Sequence, residues 1–315
     1  MSSRPALIRP RPAPRGSTVG ICAPAGPVDP QALERGVAWL ESQGYRVRLA
    51  RHLRQRQGYL AGRDAERRSD LLELVRAPEV RAIVAARAGY GTGRLLGGID
   101  PAELRASRTA VIGYSDVTQL LVYLRERAGL ASIHGPMLER SDLSEPARER
   151  WLALLRGEPA ALAPMAGKRL RPGRARGPLV GGNLRTLVAS VGTPWQPHLE
   201  GAVLFFEEVN EPPYALDRML VQLRESGQLA RVAGVAVGQL VDCESDRYPG
   251  VSARDVIDEL LAPAVDGPIV VDLPFGHVAD HHALGVGVTA EIDGDEGRLR
   301  MLEPVVESLG AEEGE

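Results

Sequence analysis

The sequence predicts an α/β protein, with an N-terminal open parallel sheet carrying helices on both faces and a smaller C-terminal α/β domain. Three observations point there. Short β-branched runs bounded by turn residues, such as Val80 to Ala86 and Thr109 to Gly113, are what strands buried on both faces look like. Between such runs lie stretches with apolar residues at helical spacing, as at Val117, Leu120, Leu121 and Leu124. Strand and helix patterns alternate, which is the order that the crossovers of a parallel sheet require.

Taken in order after the Arg- and Pro-rich leader, Thr18 to Ala23 predicts a strand and Pro30 to Ser42 a helix. Arg46 to Leu49 predicts a second strand, Asp64 to Arg76 a second helix, and Asp116 to Arg127 a helix after the Thr109 to Gly113 strand. These fall in an N-terminal domain over 17–150. Residues 163–182 are dense in Pro, Gly and Arg, and a linker is expected over 151–176, leading to a C-terminal domain over 177–306. Strands are expected there at Ala202 to Phe206, Val232 to Leu240 and Pro268 to Leu273, with helices at Tyr214 to Glu225 and Ala253 to Leu261. A final pair, Leu284 to Ile292 and Arg298 to Leu302, flanks the turn at Asp293-Gly294-Asp295.

Composition narrows the function. The 315 residues are 44% hydrophobic and 25% charged, as in globular proteins, and the formal net charge of −3 argues against nucleic acid or an anionic membrane as partner. No apolar run approaches membrane-spanning length, the leader lacks the apolar core of a signal peptide, and two cysteines cannot build a disulfide framework. The expected location is the cytoplasm. The one lysine, Lys168, sits in a basic stretch with no apolar pocket evident to depress its pKa, which weakens any scheme built on a catalytic lysine.

The segment Val111-Ile112-Gly113-Tyr114-Ser115-Asp116-Val117-Thr118 sets a serine between an apolar strand and an amphipathic helix. Ligands bind at the carboxyl ends of strands in such sheets, and a serine on that turn projects its hydroxyl there while the following amides can hold an oxyanion. The same position also suits an ordinary helix cap. Arg87-Ala88-Gly89-Tyr90-Gly91-Thr92-Gly93 follows the preceding strand; its glycines could supply a second oxyanion donor or cradle a phosphate, though it fits neither established phosphate fingerprint.

A serine needs a base, usually a histidine held by a carboxylate. Of the six histidines, His52 reads as solvated surface and His198 as loop, while His134 ends an expected strand and His277 follows the apolar strand Ile269 to Leu273 through Pro274-Phe275-Gly276. For the carboxylate, Glu207 and Glu208 end the run Leu204-Phe205-Phe206. The spacing of His277 and His281 would suit a divalent metal if helical, but the context is a loop without an H-E-x-x-H pattern. Cys22 is expected to be a small buried hydrophobe, and Cys243 has acidic neighbours that disfavour thiolate.

With these residues in hand, the sequence resembles the LD-carboxypeptidase (muramoyltetrapeptide carboxypeptidase) family of serine peptidases. The matching segments are Ala23-Pro24-Ala25-Gly26-Pro27, Arg87 to Gly91, Ile112 to Asp116, Ile133-His134-Gly135-Pro136, Gly181-Gly182-Asn183-Leu184, Phe206-Glu207-Glu208 and Pro274-Phe275-Gly276-His277. The resemblance implies a Ser115–Glu207–His277 triad at a domain interface, with the amides of Gly89 and Asp116 as oxyanion hole. Arg87, Tyr90, Tyr114, His134 and Asn183, in the same segments, are candidates for substrate binding. It implies release of D-alanine from a murein tetrapeptide, no cofactor or metal, and a homodimer. Related microcin-immunity peptidases carry the same motifs and imply a peptidyl-nucleotide substrate instead; a non-catalytic binding protein is the further alternative. The chain departs from the family in Ala88, where a second glycine is usual, and in Glu208, where aspartate is common.

Overall fold

The computed structural model describes residues 4–140 and 142–308, and the chain divides into two units. The first holds the described residues up to Ala161, with Ala283–Gly287 and those from Pro304 onward. Its elements begin β1 (Thr18–Cys22), α1 (Pro30–Ser42), β2 (Arg46–Leu49), α2 (Asp64–Arg76) and β3 (Val80–Ala85). They continue α3 (Gly93–Leu96), α4 (Pro101–Ser107), β4 (Ala110–Gly113), α5 (Thr118–Tyr123), β5 (Ser132–His134) and α6 (Glu145–Arg156). Helix starts follow local chemistry. Asp29, Asp100 and Ser144 accept amide protons from Ala32, Ala102 and Ala147, and each helix has proline in its first turn, where a missing N–H costs nothing.

All pairings among β1 to β5 are parallel, and β1 lies between β2 and β3, with β4 and β5 beyond β3. Succession along the chain therefore reverses direction at β1. Right-handed crossovers then put α1 on one face and the α2, α4 and α5 connections on the other. Packing agrees, since α2 meets α4 and α3 meets α5; separately, Trp39 of α1 meets Trp151 of α6 at 5.4 Å between ring centroids. The reversal opens a crevice beyond the carboxyl ends of β1 and β3.

The second unit spans Leu162–His282 and Val288–Glu303. It contains β6 (Met165–Ala166), β7 (Lys168–Arg171), β8 (Arg174–Asn183), α7 (Leu184–Val188), β9 (Val203–Val209), α8 (Pro213–Glu225), β10 (Gly234–Val241), α9 (Ala253–Val256) and β11 (Ile269–Val271). After β12 (Leu284–Val286) come β13 (Thr289–Asp293) and β14 (Arg298–Met301). Strands β8, β9, β10 and β11 run parallel at the centre, and the order is β6-β14-β13-β8-β9-β10-β11-β7. Phe205 and Phe206 of β9 are fully buried between β8 and β10.

Three expectations differ from the structure. The stretch 151–176, expected as a linker, carries the end of α6, then β6 and β7, which are the two opposite edge strands of the second sheet, and the start of β8, which lies inside it; Lys168, Arg169 and Arg171 of β7 put charge on one edge, where it discourages further pairing. The strand expected over 284–292 is two strands. Gly287, at φ +96°, breaks the run, and β12 pairs antiparallel with β5 of the first sheet. The helix expected from Asp116 to Arg127 is a 3-10 turn at Ser115–Val117, then α5, then a π-helical turn at Leu124–Ala128. No described helix is long and apolar enough to cross a membrane.

Candidate active site

Ser115 leaves β4 on a sharp turn. It is half-buried and has φ +57°, in the left-handed region that non-glycine residues avoid. Gly113 permits the turn, since a Cβ there would come within 2.6 Å of Val117. The Val117 amide donates to Tyr114 O at 3.1 Å, so the chain after the serine enters the helix at once. A serine held this way, at the carboxyl end of a central strand, is the strand–turn–helix arrangement of a nucleophile elbow.

The glycine loop lies beside this turn and is tied to it. Asp116, buried, accepts the Thr92 amide proton at 2.8 Å through Oδ2. Burial raises the Asp116 carboxyl pKa, while the loop amides of Thr92 and Gly91 and the Arg67 charge oppose the rise. Gly89 and Gly91 have φ +115° and +126°, and the Gly26 amide donates to Ala88 O at 2.9 Å. The Ala88 methyl is buried in the protein.

Arg67, which the sequence reading passed over, is 1% exposed and donates to both Pro24 O and Gly91 O, the latter at 3.0 Å. It also pairs with Asp64. One guanidinium thus joins the loop after β1 to the loop after β3. A cue was present: Arg67 shares a helical face with Leu71 and Leu74, both buried.

In the second unit, β9 delivers two adjacent acids to different duties. Glu207 is fully buried, and its Oε2 lies 2.7 Å from His277 Nδ1. Its Oε1 has no hydrogen bond among the described residues. A carboxylate only accepts, so Nδ1 is the donor to Glu207, and Nε2 is the ring nitrogen on the side away from the pair. His277 arrives through a clamped loop. Phe275 is buried edge-on against Phe205, Gln239 donates its amide proton to Phe275 O at 2.9 Å, and its side-chain amide donates to Leu273 O at 3.0 Å. Gly276, at φ +123°, lets this loop pass over the acid; a Cβ there would meet Glu207 Cβ at 3.0 Å.

Glu208 is turned to structure. It accepts from Asn183 Nδ2, the Arg185 amide and the Val209 amide at 2.7, 2.7 and 2.9 Å. Burial, with Glu207 adding, pushes its carboxyl up to about 7 against the pull of those donors. Asn183 caps α7 by accepting the Thr186 amide proton at 3.1 Å, so both ends of its side-chain amide are engaged.

The other candidates fall as follows. Tyr114 is buried, and its hydroxyl accepts from Arg140 Nη1 at 2.8 Å. His134 is fully buried with its ring edge-on to Tyr114, so its side chain lines no open surface. Arg87 donates to Pro27 O at 3.0 Å and lies 3.5 Å from Glu139. Tyr90 is exposed. His52, expected as solvated surface, is half-buried with Nδ1 2.8 Å from Asp70 Oδ1. Residues 277–280 form bends and turns and no helix runs through 277–282, so His277 and His281 share no helix face. Burial holds the Cys22 thiol pKa up at about 12 and that of Cys243 at about 11, leaving both thiols protonated at neutral pH.

The class that this fold defines is that of the two-unit α/β peptidases. Residues 19–135 match the family model of the LD-carboxypeptidase N-terminal domain and residues 176–292 that of the LD-carboxypeptidase C-terminal domain, and the chain belongs to that family. It is 40% identical over 306 residues to a putative carboxypeptidase of Synechocystis, covering 96% of this chain and 100% of the relative. It is 35% identical over 299 residues to the murein tetrapeptide carboxypeptidase of Pseudomonas aeruginosa, covering 91% and 96%. The crystal structure of muramoyltetrapeptide carboxypeptidase from Oxalobacter formigenes superposes with a TM-score of 0.80 at 31% identity, covering 90% of this chain and 98% of that one.

Proposed function

We propose that the protein is a serine carboxypeptidase that releases the terminal D-alanine from a murein tetrapeptide by cutting an L,D bond. The observation that supports this most is the buried Glu207 carboxylate 2.7 Å from His277 Nδ1, which arms an imidazole as a base. The strained turn of Ser115 and the names of the relatives support it further.

In this reading Ser115 Oγ attacks the scissile carbonyl and passes its proton to His277 Nε2. Glu207 holds the ring and stabilises the imidazolium. The amides of Asp116 and Gly89 receive the oxyanion. Collapse of the tetrahedral species breaks the C–N bond, the imidazolium protonates the departing amine of D-alanine, and water then cleaves the acyl-enzyme with the same base. A homodimer and a cytoplasmic location belong to the same reading.

Ser115→Ala is expected to lose turnover of the tetrapeptide by at least about a thousandfold with the fold intact. It should also lose labelling by a fluorophosphonate. Mass spectrometry of the products, run beside an aminoacyl-adenylate analogue, checks the assignment. Near-normal activity in Ser115→Ala rejects the nucleophile, and cleavage of the adenylate analogue alone rejects the substrate.

A further inference from the structure

The crevice at the reversal of strand order holds a cavity lined by Gly26, Pro27, Arg56, Gly58, Tyr59, Arg87, Gly89 and Tyr90. Its rim is rigidly built. Gly58 and Tyr59 form the tip of a turn closed by the Gln57–Leu60 bridge, with amide-to-carbonyl bonds of 2.8 and 3.1 Å. Gly58 has φ +61°, and the turn is anchored by buried Leu60 and by the Ala61 amide donating to Ala25 O at 2.9 Å.

On this fixed backbone Tyr59 is 64% exposed and packs edge-on against Tyr90, itself 55% exposed, at 5.8 Å between centroids. Two large rings left in water contribute little to the fold; their apolar faces are available to cover something else. The two arginines of the cavity differ. Arg87 is committed to Pro27 O and faces Glu139. Arg56 makes no hydrogen bond or ion pair among the described residues. A planar guanidinium suits a carboxylate by two parallel hydrogen bonds.

We infer that this cavity is the subsite for the leaving residue, in which Arg56 pairs with the terminal carboxylate of the peptide and the Tyr59–Tyr90 pair covers the adjoining methyl. The inference rests on the peptidase reading above: Gly89, proposed there as an oxyanion donor, lines the same cavity, so the group one residue beyond the scissile carbonyl falls within it. A free carboxylate is what separates an exopeptidase substrate from an internal peptide bond, and Arg56 would read that difference.

The test measures binding apart from turnover. The tetrapeptide and its C-terminal amide are titrated by calorimetry into Ser115→Ala protein and into the same protein carrying Arg56→Gln, Arg56→Lys, Arg87→Gln or Tyr59→Ala. Ser115→Ala alone should prefer the acid over the amide by about tenfold. Arg56→Gln should reduce that preference to less than about twofold, with Arg56→Lys keeping part of it. Arg87→Gln should retain it, and Tyr59→Ala should weaken both peptides alike. A preference that survives Arg56→Gln, one lost in Arg87→Gln instead, or no binding of either peptide overturns the subsite. If wild-type protein cleaves neither peptide while the preference still depends on Arg56, the subsite stands and the peptidase reading falls.

Discussion

At Ser115 the backbone conformation, and at Glu208 the charge, run against ordinary preference. A left-handed backbone costs a non-glycine residue roughly 1–2 kcal/mol, and glycine nothing sterically. Ser115→Gly is therefore expected to be inactive yet at least as stable as wild type, whereas the β-branched Ser115→Val should lose about 1–3 kcal/mol; urea titration of both variants checks this. Glu208, with its carboxyl held up at about 7 in the folded state, binds a proton more readily there than in the unfolded chain, whose reference is 4.5. Its contribution to stability is thus largest in acid and is lost as pH rises from about 4.5 through 7. Glu208→Gln is neutral throughout, so its stability relative to wild type should improve by about 2 kcal/mol between pH 5 and pH 8. A parallel pair of pH profiles would refute the buried-proton account.

At the scale of elements, three loops meet through two side chains. Arg67 bridges the loops after β1 and β3, and Asp116 holds the β3 loop to the turn after β4. Arg67→Ala leaves two buried carbonyls without their donor and should destabilise the first unit by roughly 3–5 kcal/mol, lowering its thermal midpoint. Arg67→Lys, a single point charge, should restore less than half of that loss. How far such features show in the sequence depends on their range. The helices Pro30–Ser42 and Asp64–Arg76 match their patterns end to end, because periodicity is a local property. The adjacency of Glu207 and Glu208 was visible, but their separate duties were not. Those depend on Gly276 bringing one loop over β9 and on Asn183 capping α7. His52 shows the same limit, since its partner Asp70 lies 18 positions on, within α2.

On the scale of the whole molecule, the chain does not finish one unit before starting the other. β12 returns to pair with β5 after the second unit has been traversed, and Glu307 donates its amide proton to Pro10 O at 2.9 Å. The single strand expected over 284–292 concealed this return, because Gly287 looks no different in sequence from a glycine inside a strand. A protein cut after Ala161 should leave β5 as an open edge and recover mostly as aggregate. Appending residues 282–308 through a flexible linker should raise the soluble fraction, as read by gel filtration. For a nascent polypeptide this order matters: the ribosome must synthesise past β12 before the amino-terminal sheet can close its flank. Until then, a chaperone or some other temporary cover for that flank would be of use.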